Sequence, residues 1–188
     1  DGLRRIEIRQ VERLQIFGGN AADRMIGGTG DDYFAGMGGA DLLIGNDGRD
    51  TLLGEGGSDW LEGREGNDWL RAGGPGEASS DRDSLFGGAG NDTLSGSAVP
   101  GLRSMLDGGE GNDLLDVLSG VDEAIGGLGQ DTLSADLRAA ATPVQIVMDE
   151  AGDGFVTADD GVFLVEFSGI EALSILAGSA DDALSGTA

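Results

Sequence analysis

GGTGDDYFAGMGGADLLIGNDGRDTLLGEGGSDWLEGREGNDWLR, residues 27–71, divides into five units of nine residues with one shared pattern. Each unit opens on glycine and has glycine again at its fourth position. Aspartate stands at the sixth and a large apolar residue at the eighth. The register extends outward to Gly18 and Ser134, giving twelve units, with longer ones at 72–86 and 96–107. Aspartate holds the sixth position in all but one of the twelve: Asp23, Asp32, Asp41, Asp50, Asp59, Asp68, Asp83, Asp92, Asp113, Asp122 and Asp131, with Ser104 the exception. The eighth position is apolar throughout, from Met25 and Phe34 to Ala124 and Leu133.

Each position has a physical reading. Glycine allows a tight turn that reaches positive φ and exposes carbonyl oxygens. Positions seven to nine are read as a short strand whose eighth side chain points inward. A single unit cannot bury that side chain, but stacked units can. Stacking also aligns carbonyls and carboxylates into oxygen-lined cages, which suit a hard cation with 6–8 oxygen ligands, namely calcium.

The chain has 188 residues, 37 of them glycine, and a formal net charge of −24; all its basic residues are arginine. Histidine, cysteine and lysine are absent. That excludes disulfides, Cys/His zinc sites, histidine-assisted nucleophiles and Schiff-base lysines. The acidic balance disfavours nucleic acid and anionic membrane surfaces. No apolar run reaches the roughly 20 residues of a membrane span. Opening on Asp1-Gly2-Leu3-Arg4, without methionine, the sequence reads as part of a longer chain.

The pattern resembles G-G-x-G-x-D-x-U-x, the nonapeptide of the RTX (repeats-in-toxin) family. The resemblance covers 18–134 and resumes near 177–188. It implies an all-β, right-handed parallel β-roll with two nonapeptides per turn and calcium between stacked turns. It also implies export by a type I secretion system and a secreted or cell-surface location in a Gram-negative bacterium. The candidate metal ligands are the first, third and sixth positions of the better-formed turns. They are Gly18 and Asp23; Gly27, Thr29 and Asp32; Gly36, Gly38 and Asp41; Gly45, Asp47 and Asp50; Gly54, Gly56 and Asp59; and Gly63, Glu65 and Asp68. Further along come Asp83; Gly87, Ala89 and Asp92; Gly108, Glu110 and Asp113; and Gly126, Leu128 and Asp131.

Two units per turn place alternate units on opposite edges. One edge takes the units starting at 27, 45, 63, 87, 108 and 126, each with glycine at four and aspartate at six. The other takes 18, 36, 54, 72, 96 and 117, where both insertions and Ser104 fall. The first edge is expected to hold an unbroken row of sites and the second a row complete only in its first half. One ion per gap gives about seven calcium ions. A core one residue wide and stacked carboxylates predict a chain that is largely disordered without calcium and folds on binding it.

Residues 1–17 read as an entry strand and 135–176 as a connector or cap; 177–188 read as the start of a further repeat. Residues 1–29 align without gaps on 160–188, at an offset of 159, with ten identities that include Glu12, Leu14, Ile16 and Asp23. A tandem array would produce this, and so would a common way of capping repeat blocks. Asp149–Gly154 superficially resembles an EF-hand loop, but Ala151 stands at a ligand position and no helical pattern flanks it, so a hairpin turn is expected. Trp60 and Trp69, with Tyr33, Leu42, Ile44 and Leu53, are read as pointing outward. They form either a docking patch or a surface covered by the insertions or connector. The functional reading is a calcium-folded structural and secretion module of a larger exported protein, with no catalytic residues. Its partners would be calcium, neighbouring domains of the same chain and, in transit, the type I machinery. The alternatives are an adhesive or ligand-binding module in a tandem array, and an accessory domain of a secreted enzyme.

Overall fold

In the repeat, each short strand has enough backbone to pair with the equivalent strand one full turn later, but too little apolar surface to stand alone. A computed structural model of the chain, describing residues 12–73, 81–97, 102–117, 121–138, 143–158, 164–176 and 183–186, shows how that is resolved. Eighteen strands and no helix occur among the described residues. The repeat contributes β1 (Gln15–Phe17), β2 (Arg24–Ile26), β3 (Tyr33–Gly38), β4 (Leu42–Asp47), β5 (Thr51–Gly56), β6 (Trp60–Glu65) and β7 (Trp69–Gly73). It continues with β8 (Arg82–Ala89), β9 (Thr93–Ser95), β10 (Arg103–Gly111), β11 (Leu114–Val117), β12 (Val121–Gly129) and β13 (Thr132–Asp136). Then follow β14 (Val144–Met148), β15 (Gly154–Ala158), β16 (Leu164–Ser168), β17 (Ala172–Leu176) and β18 (Ala183–Gly186).

Odd strands of the repeat form one parallel sheet, in the order β1-β3-β5-β7-β9-β11-β13, closed by β17. Even strands form the other, β2-β4-β6-β8-β10-β12, extended by β16, β15, β14 and β18. The chain therefore alternates between two sheets and completes one turn every two units, a parallel β-roll. Tyr33 pairs with Thr51 and Leu42 with Trp60, each eighteen residues on.

The eighth-position side chains form a single column. Phe34, Leu43, Leu52, Leu61, Leu70, Leu85, Leu94, Leu106, Leu115 and Leu133 are fully buried. Ala124 is the small member, and its cross-strand partner in β16 is the buried Phe167. Full burial of one such side chain contributes roughly 1.5–3 kcal/mol.

Three details depart from the expected picture. Most strands run past the ninth position into the next turn, because turn residues also pair with the turn above, as Met37 does with Glu55 and Gly38 with Gly56. Ile44, expected outside, is only 6% exposed. It stands between Ile26 and Glu62 on strands about 4.8 Å apart, close enough for neighbours to cover it. Trp60 and Trp69 are each 44% exposed but lie on opposite sheets, so they make no common patch. The Trp60 ring packs on Phe86 at 4.6 Å, and its Nε1–H donates to Glu62.

The connector adds to both sheets. β14, β15 and β16 form an antiparallel meander, and β16 joins β12 in parallel. The EF-hand-like segment is the hairpin turn between β14 and β15: the Asp149 amide donates to the Asp153 carbonyl, and Asp149 Oδ1 accepts the amides of Ala151 and Asp153. β17 continues the odd-strand sheet beyond β13. Residues 74–80 and 98–101 of the insertions, the first eleven residues and Asp182 lie outside the described residues.

Candidate metal centre

The turns between the sheets stack into two edges. On the first, the sixth-position aspartates form a ladder. The amide of each donates to Oδ1 of the next: Asp32 to Asp50, Asp50 to Asp68, Asp68 to Asp92, Asp92 to Asp113 and Asp113 to Asp131, all at 2.7–2.8 Å. The second edge begins the same way, Asp23 to Asp41, Asp41 to Asp59 and Asp59 to Asp83. Ser104, buried, takes the next place, paired across the strands with Asp83. The second-edge ladder thus runs one turn further than a count of complete nonapeptides suggests.

One carboxylate oxygen is engaged in this way; the other is not. Oδ2 of Asp41, Asp50, Asp68, Asp92, Asp113 and Asp131 is buried without a hydrogen-bond partner. The first-position glycine shows what lies beside it. A methyl group on Gly63 would strike Asp68 Oδ2 and the Gly87 carbonyl oxygen; on Gly87, Asp92 Oδ2 and the Gly108 carbonyl; on Gly108, Asp113 Oδ2 and the Gly126 carbonyl. Gly27 faces Asp32 and Gly45 alike, and on the second edge Gly18, Gly36 and Gly54 meet Asp23, Asp41 and Asp59 with the carbonyls of Gly36, Gly54 and Ala72. In the first turn of each edge the Gly28 and Gly19 amides donate to Oδ2 of Asp32 and Asp23. At Asp41, Asp68, Asp92 and Asp113 carboxylate and carbonyl oxygens converge with no donor on Oδ2, an arrangement that is costly for a buried anion unless a cation is supplied. The residues fit a hard, oxygen-binding ion. No group of three or more carboxylates gathers among the described residues, so such an ion would depend on backbone carbonyls as well.

The electrostatics agree. Burial pushes the carboxyls of Asp50, Asp92 and Asp113 up to about 6 and that of Asp68 to about 7. The ladder amide pulls each back, and the neighbouring carboxylates raise it further. Asp41 and Asp131 are raised for the same reasons.

The turn shape follows from its glycines. In the turns starting at 36, 45, 54, 63, 87, 108 and 126, positions two and four both have positive φ. Position four is Gly39, Gly48, Gly57, Gly66, Gly90, Gly111 or Gly129. Position two tolerates Met37, Asn46, Glu55 and Arg64 in this strained region. Glycine at position one serves a different purpose, the close approach of carboxylate and carbonyl just described. The third-position carbonyls of Gly56, Glu65, Ala89 and Glu110 accept the fourth-position amide of the turn before. Side chains of Asp47, Glu65, Ala89 and Glu110 line a shallow groove on the first edge with Asn46 and Arg64. Leu128, also at position three, is exposed, and Thr29 lies in the first turn of the same edge.

Two features escaped the sequence reading. Fifth-position side chains form a second ladder running the opposite way: the amides of Asn91, Asn112 and Gln130 donate to Oδ1 of Asn67, Asn91 and Asn112. The recurring Asn-Asp at 67–68, 91–92 and 112–113 was its visible signal. Glu171, from the connector, accepts the Asp131 amide at 2.8 Å and so stands where a further aspartate would. Its only signal was identity with Glu12 at the 159-residue offset.

A family model of the RTX calcium-binding nonapeptide repeat matches in four copies, at residues 17–52, 44–74, 77–98 and 105–136. No curated protein and no solved structure matches the chain. With the repeat matched over more than half of its length, the chain belongs to the RTX calcium-binding nonapeptide repeat family.

Proposed function

We propose that this calcium-binding repeat module holds about seven calcium ions in the gaps between stacked turns, and that binding them is what folds it. Each ion would take the sixth-position carboxylate and first-position carbonyls, with third-position carbonyls completing the shell. On the first edge the ligands run from Gly27, Thr29 and Asp32 to Gly126, Leu128 and Asp131. On the second they run from Gly18 and Asp23 to Asp59, which leaves two gaps there beside the five of the first edge. The observation that carries this reading is the row of buried carboxylate oxygens without a donor, of which those of Asp41, Asp68, Asp92, Asp113 and Asp131 lie beside a carbonyl of the adjacent turn. Calcium supplies two positive charges per gap. Without it the aspartates repel along the whole stack, and a core one residue wide does not offset that repulsion together with chain entropy.

A chain with this property stays unfolded where calcium is scarce and folds where it is plentiful. That supports a structural module of a larger exported protein, threaded through a type I system and folded outside the cell, with no catalysis of its own. Circular dichroism with calcium titration tests it. The β signal should disappear in EGTA and return cooperatively with calcium, and calorimetry should count about seven ions. A folded metal-free chain overturns it.

The alternative reading, a module in a tandem array with an adhesive role, is favoured by one observation. The segments related by the 159-residue offset occupy opposite ends of the same sheets, β1 and β17 of one and β2 and β18 of the other. A unit whose two ends carry equivalent strands can be continued by another of its kind.

A further inference from the structure

The first-edge ladder does not end where the nonapeptides end. Asp131 is the last sixth-position aspartate, and its Oδ1 accepts the Asp113 amide at 2.8 Å, as in every turn before it. Asp131 is 0% exposed, and its Oδ2 has no hydrogen-bond partner. If the row of sites stopped here, this oxygen would be a buried acceptor with nothing to face. It does face something. A methyl group on Gly126 would strike both Asp131 Oδ2 and the carbonyl oxygen of Gly169, in the connector. Gly169 thus stands where the first-position glycine of a thirteenth turn would.

The rest of that turn is also present in shortened form. The Ala172 amide donates to the Asp131 carbonyl at 3.0 Å, as the Thr132 amide does to Asp113. Ala172 pairs with Thr132 across the sheet, which makes it a seventh position and Glu171 a sixth. Glu171 Oε2 accepts the Asp131 amide at 2.8 Å, the bond an aspartate would make. Three residues, Gly169 to Glu171, replace six. The extra methylene of glutamate lets the carboxylate reach across a turn cut short, and Gly169 enters it with φ +61°.

We propose that the seam between the last nonapeptide turn and the connector is a further calcium site, held by the carboxylates of Asp131 and Glu171 and the carbonyls of Gly126 and Gly169. The proposal rests on the calcium reading of the ladder and adds a site outside the nonapeptides. Two carboxylates match the charge of one divalent ion, and backbone carbonyls supply neutral oxygens beside them. Binding there would fasten β17 and the antiparallel meander to the roll, so calcium would order the connector as well as the repeats.

The test is native mass spectrometry of the whole chain across a calcium titration, with circular dichroism to follow folding. Glu171→Gln keeps an oxygen to accept the Asp131 amide and removes only the charge. It should fold at high calcium and carry one ion fewer than the parent chain, while Glu171→Asp should keep the charge but bind the last ion more weakly. An unchanged ion count and affinity in Glu171→Gln overturns the seam site and leaves the ladder reading intact. Should Glu171→Gln not fold, amide exchange in the parent chain decides. Protection of 172–176 must then rise with the last ion bound, and protection already complete before it overturns the proposal. A parent chain that binds no calcium removes the ladder reading itself, a different and distinguishable outcome.

Discussion

The amide of Asp50 donates to Oδ1 of Asp68, eighteen residues further on, at 2.7 Å, while Asp68 Oδ2 lies buried without a donor beside the Gly87 carbonyl. One carboxylate is thus divided between two tasks. One oxygen fastens successive turns by a charge-assisted hydrogen bond. The other is held, at an energetic cost, where a cation can use it.

This division gives Asp68→Asn effects of opposite sign. Asparagine still offers an oxygen to the Asp50 amide, and its NH2 group can donate to the Gly87 carbonyl. In EGTA the variant should therefore retain more structure than the parent, by about 1–3 kcal/mol. In calcium it should be less stable and bind less metal. The residual far-UV β signal in EGTA and thermal melts in calcium check this; a lower melting temperature in calcium with no gain of β signal in EGTA would show the carboxylate acting only as a hydrogen-bond partner.

Acidification should act differently with and without metal. The folded-state carboxyls are raised from 3.8 to about 6 at Asp50, Asp92 and Asp113 and to about 7 at Asp68. Protonation therefore favours the metal-free fold: the gain is complete below the unfolded value and is lost as pH rises through 6 to 7. In EGTA, β structure should increase from pH 7.5 to pH 4.5. In calcium the same change should weaken binding, because protons and metal compete for the same oxygens. Far-UV spectra at the two pH values, with and without calcium, decide the sign.

Positions two and four of the turn should answer substitution in opposite ways. Gly66 has φ +128°, and a methyl group there would run into the Gly48 carbonyl, so Gly66→Ala should cost about 3 kcal/mol. Met37 is exposed and strained at φ 76°. Met37→Gly should gain about 0.5–1 kcal/mol after the added chain entropy of glycine. Urea unfolding in saturating calcium measures both.

The core column should be sensitive to size in both directions. Leu94→Ala opens a cavity with no second layer to fill it and should cost 2–5 kcal/mol, by the usual range of roughly that size. Ala124→Leu meets Phe167 on the adjacent strand and should cost about 1–3 kcal/mol by overpacking. If Ala124→Leu proved stabilising, Phe167 would not be the residue that fills that level.

Residues 18–134 state their fold openly because each unit repeats the same requirement. The inward eighth residue, the glycines of the turn and the aspartate at six are local needs, and recurrence in register names the partner eighteen residues away. Spacing within the units reaches the parallel roll, the two edges and the column from Phe34 to Leu133. It does not reach Ile44, whose burial is set by its neighbours on the sheet, or the separation of Trp60 and Trp69 onto opposite faces. The connector was legible as apolar strands with a hairpin turn at Asp149–Gly154, which joins β14 and β15; nothing in Leu164–Ser168 specifies its antiparallel pairing with β15 or the docking of β16 on β12.

The sequence by itself determined the period, the kind of ligand atom and the sign of the charge, because these follow from residue types at fixed spacing. Tertiary structure alone decided which oxygens face one another. It showed that position-one glycine makes room for a carboxylate beside a carbonyl, and that Glu171, forty residues beyond Asp131, closes the ladder. Such meetings depend on how one turn lies upon the next. Spacing within the repeat specifies that only while the repeat lasts; past Ser134 the packing of the connector sets it.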